Sequence, residues 1–408
     1  MNRLIILWIV SATLGIASVN AKPLPYLDTQ KILINNQNRV ITKKLSLRQF
    51  VKDDTIDLSD GWLEDSDIPD LITFLKKHRE IIRVNLSANS GLTAKGMVPL
   101  ASISWLQELD LERFYKECGK AGCLGGLEAK DIAPFANHPK LSRLNLGMHS
   151  IGDDGAKTLA KNTRLTVLNL TDNNITDVGG VALAANPSLE VLQLNANNVG
   201  SETALALAAN QKIRMLDLSQ TDVGDSGAIA LAVQSPVVAL RLFATNVGDS
   251  GAAALAKNAR IKSLSLSDTN ITIKGARALA QNKTIKHLDF GGDWLGDRRP
   301  NDIGDAGAIA FAKNNSLESL ELDSQQITTV GANALAKNNS LRSLGLRANY
   351  GLKDDGAIAL ARKSLNSLDL SACTLTDKAI FALAQKKYQT LLAYSNFISD
   401  QGAVALAK

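Results

Sequence analysis

The sequence predicts an α/β solenoid in which one strand and one short helix alternate along most of the chain. Three observations lead there. A pattern L-x-x-L-x-L starts at Leu141, Leu165, Leu189, Ile213, Val237, Ile261 and Ile285, each 24 residues after the last, and resumes at Leu317, Leu341 and Leu365. Its last two apolar positions alternate with polar ones, the period of a strand with one buried face. After a fixed gap comes Gly-Ala-x-Ala-Leu-Ala, whose apolar residues recur at helical spacing, as in Ala156, Leu159 and Ala160.

Weaker copies begin at Asp53, Ile81, Leu106 and Tyr388, which makes about fourteen units of ~24 residues over 53–408. Composition agrees. Of 408 residues 45% are hydrophobic but only 4% aromatic, so the core must be built from many small aliphatic contacts. A strand-plus-helix unit cannot bury its apolar stripe alone, so units stack. Strands then sit about 4.8 Å apart, while helices need about 8–10 Å. The mismatch predicts an arc with a parallel sheet on the concave side and the helices outside.

In chain order, residues 1–21 read as an export signal: Arg3, an apolar run from Leu4 to Val19, and small residues Val19 and Ala21 before Lys22. The run is short of the about 20 residues that span a bilayer. No later run is long enough, so no stable membrane span is expected once the signal is removed. Export would end in the periplasm, on the cell surface or in the medium. Residues 22–52 fit the repeat poorly and are expected to cap the first strand, with "KILIN" and "RVITKKLSL" as apolar cover.

Within a unit, Leu168 and Leu170 should point inward and Val167, Asn169 and Thr171 outward. Three residues after the strand a small polar residue recurs, among them Asn89, Asn173, Asn197, Thr245, Asn349 and Asn396. Such a side chain can bond the backbone of adjacent turns, so Cys373 and His149, which fill the same slot, are expected to serve structure. The Asp of "IGDDGA", "VGDSGA" and "IGDAGA" precedes the helix as an N-cap would.

Two insertions interrupt the beat, near 114–126 and 291–301. The first holds Cys118 and Cys123, which an oxidising compartment would favour as a local disulfide; the missing second pair of ligands disfavours zinc. The second, "GGDWLGDRRPN", holds Trp294, Arg298 and Arg299. Both leave the chain after the strand, so both are expected at one edge of the arc as lips around a binding surface.

The stretch "LTVLNLTDNNITDVGGVALAANPSL" resembles the leucine-rich-repeat family, in particular its ribonuclease-inhibitor-like class. That resemblance implies a horseshoe with short convex helices and a protein-binding role. The units are shorter than usual for the class, so its curvature is not carried over. The Gly-Ala-x-Ala-Leu-Ala form is similar to repeats in secreted and effector proteins of bacterial pathogens, which implies a virulence or effector-type protein.

Chemistry finds little support. His78, His138, His149 and His287 have no partner at metal-ligand spacing, and no nucleophile, phosphate-loop or dinucleotide motif stands in its context. The Asp residues of the second insertion face Arg298 and Arg299, which oppose calcium. No catalytic residue, metal or cofactor is therefore assigned. The +5 charge, from 45 basic and 40 acidic residues, forms no basic stripe, which argues against nucleic acid.

What remains is the outward strand face. Asn145, Asn169 and Gln193 make it amide-rich, Asp217 and Arg241 follow, and toward the C-terminus Asp289 and Glu321, with Asp323 and Asp369, make it acidic. With Phe243, His287, Trp294, Arg298 and Arg299 these are the expected contacts for a protein partner of unknown identity. Two other readings are a glycan on the amide-rich face and a self-assembling envelope protein joined through the C-terminal end, where Tyr388, Leu391 and Tyr394 lie.

Overall fold

The computed structural model describes residues 30–34, 39–43, 47–60, 63–113, 125–292 and 301–407. They divide into two compact units, one ending at Asp217 and the other beginning at Leu218.

The first unit opens with a separate antiparallel hairpin, β1 (Gln30–Ile34) and β2 (Arg39–Lys43). β3 (Val51–Lys52) then runs antiparallel to β4 (Thr55–Asp57). From β4 onward every strand pairs in parallel with the next: β5 (Arg83–Asn85), β6 (Glu108–Asp110), β7 (Arg143–Asn145), β8 (Val167–Asn169), β9 (Val191–Gln193) and β10 (Met215–Asp217). The edge of the first repeat strand is thus taken by two residues of β3. Gln30–Ile34 and Arg39–Lys43 pair with each other over a five-residue register.

The second unit holds β11 (Ala239–Arg241), β12 (Ser263–Ser265), β13 (His287–Asp289), β14 (Ser319–Glu321), β15 (Ser343–Gly345), β16 (Ser367–Asp369) and β17 (Thr390–Leu392), each parallel to the next. Between strands run helices of regular length, such as Asp249–Lys257, Ile273–Ala280 and Thr329–Ala336. The expected strand–helix repeat is present in both units.

The core follows the leucine pattern. Leu168, Leu170, Leu192 and Leu194 are fully buried, and so are Ala252, Ala276 and Leu335 on the helices. Each buried leucine contributes about 1.5–3 kcal/mol of transfer free energy. One repeat uses aromatics instead: Phe290 on the strand side meets Phe311 on the helix side edge-on, with centroids 5.9 Å apart.

Three polar ladders stitch the repeats. Asn173 Nδ2 donates to Leu146 O at 2.7 Å, and its Oδ1 accepts from Ile151 N at 3.3 Å. His149 copies this: Nε2 lies 3.0 Å from Leu111 O and Nδ1 accepts from Leu127 N at 3.1 Å. Cys373 Sγ donates to Leu346 O at 3.1 Å. Both residues are structural, as the repeat slot implied. A second ladder closes the helix ends, where Asn282 Nδ2 donates to Ala256 O and Asn258 O at 2.8 and 3.0 Å.

The third ladder corrects an expectation. The aspartate at each helix start does not cap its own helix; it caps the next one. Asp249 Oδ1 accepts from Thr272 N and Gly275 N, both at 2.9 Å, and its Oδ2 accepts from Thr272 Oγ1 at 2.7 Å. Thr272 meanwhile caps its own helix through Lys274 N. The cause is geometric. Asp249 already sits within the first turn, so its carboxylate reaches sideways to the free N–H groups of the neighbouring helix. Asp153, Asp225 and Asp305 do the same for Thr176, Gly248 and Thr328. A side chain at Gly275 would place its Cβ 2.7 Å from Asp249 Oδ1, so glycine is required there.

Candidate functional site: the outward sheet face

Parallel register stacks like positions into columns across the face. The column that ends each strand runs Asn85, Asp110, Asn145, Asn169 and Gln193 in the first unit. In the second it runs Arg241, Ser265, Asp289, Glu321, Gly345, Asp369 and Leu392.

Most Asn and Asp in this column are spent on the chain itself. Asn145 Oδ1 accepts from Gly147 N at 3.1 Å, and its Nδ2 donates to Glu112 Oε2 at 3.0 Å. Asn169 Oδ1 accepts from Thr171 N at 2.9 Å and Thr171 Oγ1 at 2.6 Å. A carbonyl oxygen three bonds from Cα reaches the N–H two residues on, which turns the chain out of the strand. Asn169 and Asp217 are also buried, a correction to their expected openness: adjacent side chains in a close parallel register cover them. Gln193 is half-buried and Met215, beside Val191, is exposed. Upstream, Arg83 bonds Asp54 and Glu108, and Arg143 reaches Glu108 at 3.5 Å.

In the second unit the column becomes acidic, although Asp289 and Asp369 still accept from the N–H two residues on, of Gly291 at 3.4 Å and Ser371 at 2.8 Å. Asp289 is held by two hydroxyls, Ser265 Oγ at 2.8 Å and Ser267 Oγ at 2.6 Å. Glu321, one methylene longer, carries its carboxyl beyond its own turn. A Cβ built on Gly345 would lie 1.5 Å from Glu321 Oε2 and 3.3 Å from Asp323 Oδ1, so both carboxylates lean over that glycine. Asp323 Oδ1 accepts from Arg347 N at 2.9 Å, and Asp369 Oδ1 from Ser371 N at 2.8 Å.

This crowding sets the charge state. Burial, then the charges of Asp323, Asp289 and Asp369, push the Glu321 carboxyl up to about 8. Burial first and Asp369 second push Asp323 up to about 6, against the pull of Arg347. The Arg347 guanidinium lies 6.0 Å over the Tyr394 ring. Among the described residues no three His, Cys, Asp or Glu are placed to hold a metal ion.

Of the other expected contacts, Arg241 and His287 are exposed on the face and Phe243 is half-buried. Cys118, Cys123, Trp294, Arg298 and Arg299 lie outside the described residues. Arg347 and Ser371 were missed by sequence reading, and it gave no joint role to Asp323 and Gly345, which it had placed on the outward face. Their signal was the pairing of a glycine in the outward column with a longer acid one strand before it. At the C-terminal end Phe397 and Val404 are exposed. No helix among the described residues is long and apolar enough to cross a membrane.

Comparisons with known proteins agree with this geometry. Models described as leucine-rich repeat match residues 139–199 and 163–223, and again 257–280, 300–312 and 363–384. No curated protein sequence matches the chain. Among solved structures, an internalin (InlF) from Listeria monocytogenes is similar at 21% identity and a TM-score of 0.51, over 85% of this chain and 87% of that one. TLR13, solved with ssRNA13, is similar at 19% identity and a TM-score of 0.50, over 80% of this chain and 48% of that one. At such identities the likeness concerns the fold. Matched repeats, parallel strand register and shared fold lead to one assignment: the chain has a leucine-rich-repeat fold and carries leucine-rich repeats at the matched residues.

Proposed function

We propose that this is an exported protein-binding module with no catalysis of its own, which captures a protein partner on the outward sheet face of residues 218–408. One observation carries the reading. The repeat needs only a small polar residue at the strand end, yet β13, β14 and β16 place acids there, and burial first and their mutual repulsion second raise Glu321 to about 8. Charges crowded at a cost to folding are a mark of a surface kept for another purpose. A stacked repeat also holds that surface rigid before a partner arrives, which lowers the ordering cost of binding.

Arg241, Phe243 and His287 flank the acids and would supply further contacts, arginine and aromatics being frequent anchors. Trp294, Arg298 and Arg299 belong to the segment that starts after Gly292, whose N–H donates to Asp323 O at 2.9 Å. We assign that segment the role of a lip beside the acids. The internalin likeness supports a place at a bacterial surface, as does the signal-like N-terminus. A glycan reading is less favoured, because Asn145 and Asn169 already bond their own chain. Self-association through the C-terminal end is favoured only by exposed Phe397 and Val404, and a mass that rises with concentration would reveal it.

The test is photo-crosslinking of residues 22–408 in envelope and host-cell extracts. A reactive residue at His287 should capture a protein that one at Val330, exposed on a helix, does not. Equal capture from both positions, or from neither, would reject the reading.

A further inference from the structure

We propose that the face over β14 to β16 docks a basic polypeptide segment of the partner, with a lysine or arginine side chain entering between Glu321, Asp323 and Asp369. This rests on the protein-binding reading above and adds the chemistry of what is bound.

Two independent observations point to a cationic ligand there. The first is charge with a seat. Asp289 on β13, Glu321 on β14 and Asp369 on β16 share one column, Asp323 follows β14, and the Glu321 and Asp323 carboxylates converge over Gly345 on β15, where no side chain stands between them. Ionised carboxylates only accept hydrogen bonds, so they cannot satisfy one another, whereas an ammonium or guanidinium offers several donors.

The second observation is Ser371. Strand alternation turns its side chain to the same face as Asp369, and its N–H bonds Asp369 Oδ1 at 2.8 Å. It is fully buried, and its Oγ has no hydrogen-bond partner. Arg347 and Tyr394 stand on the strands to either side of it, and their side chains meet 6.0 Å apart, Cζ to ring centroid. A buried hydroxyl without a partner is costly and uncommon. An entering ammonium would give the Ser371 oxygen its missing donor while bonding Asp369, and would displace the Arg347 side chain from Tyr394.

Binding should release a proton. Below the pH at which Glu321 ionises, its carboxyl holds a proton; a cation beside it stabilises the carboxylate, and the proton passes to solvent as the ion pair forms. The charged groups that face Glu321 and Asp323 are Asp289 from β13, Asp369 from β16 and Arg347 after β15. Of these only Arg347 opposes the acids, so rising pH strengthens the pull on a cation.

The experiment pans a random peptide library on the folded full chain and, in parallel, on the D323N/D369N variant, which removes repulsion and should fold at least as well. Peptides selected on wild type should be enriched in Lys and Arg and be lost on the variant. Replacing the key Lys of a selected peptide with Gln should weaken binding about tenfold or more, and affinity should rise between pH 6 and pH 9. Face-binding peptides without basic enrichment, held equally by the variant, overturn this inference and leave the protein-binding reading standing. If no selected peptide crosslinks to the sheet face at all, the reading beneath it fails too. An affinity for a basic peptide that is flat with pH overturns the role given to Glu321.

Discussion

The carboxyl of Glu321 occupies the space above Gly345. A Cβ on Gly345 would sit 1.5 Å from Glu321 Oε2, so the one outward glycine of that column makes room for the longer acid one strand before it. Because the obstacle is the mobile end of a side chain, a Gly345→Ala chain should fold, with Glu321 pushed toward solvent. Its carboxyl should then titrate nearer the ordinary 4.5 than the about 8 of the wild type, which carboxyl-carbon NMR would resolve. An unmoved titration would mean that the glycine does not set the environment of Glu321.

Glu321 should also make the protein less stable as pH rises. The unfolded carboxyl ionises near 4.5 and the folded one near 8, so between these values the folded chain holds a proton that the unfolded chain has released. Stability from this group is therefore present below 4.5 and lost as pH climbs through 8. Glu321→Gln should raise stability above that range by about 2–4 kcal/mol and leave it unchanged at low pH. Urea melts at both ends of the range check it; a gain of equal size at both would assign the effect to packing.

His149 should act in the opposite window. Burial holds it neutral and pushes it down to about 4 from 6.5, while its Nδ1 accepts a backbone hydrogen bond that protonation would break. The unfolded chain thus binds the proton first as pH falls. Stability is intact above 6.5 and declines as pH falls toward 4, by up to about 3 kcal/mol. His149→Asn, which can make the same two bonds as Asn173, should fold and lose that slope in thermal melts across the window.

Asp249→Ala should destabilise the chain through the neighbouring helix. It removes the cap shared by Thr272 and Gly275, worth about 1–2 kcal/mol, and hydrogen exchange should quicken first at the start of helix Ile273–Ala280. Exchange that quickens in helix Asp249–Lys257 alone would return the aspartate to its own helix.

The fold was legible because it repeats. Leu168, Leu192 and Leu216 state the same packing instruction once per unit, and a periodic apolar signal survives any single exception. The reach of Asp249 was not legible, since a cap for one's own helix and a cap for the next leave the same residue at the same place in sequence. The acidic site was half legible. Asp289 and Glu321 stood out in the outward column, but the role of Gly345 depends on where a flexible acid comes to rest. Ser371 is buried where Arg347 and Tyr394, from two other repeats, stand to either side, and no local pattern announces it. Asn145 and Asn169 drew attention as an amide-rich face, yet each is occupied by the N–H two residues ahead, a use that strand ends share with many turns.

The central claim is that the sheet face of residues 218–408 is the capturing surface. Crosslinking from His287 in the wild type and in the D323N/D369N variant tests it most directly, with Val330 as the reference position. The account predicts a captured protein at His287 that is absent at Val330 and is lost or sharply reduced in the variant. Capture that is equal at both positions and unchanged by the variant would contradict it.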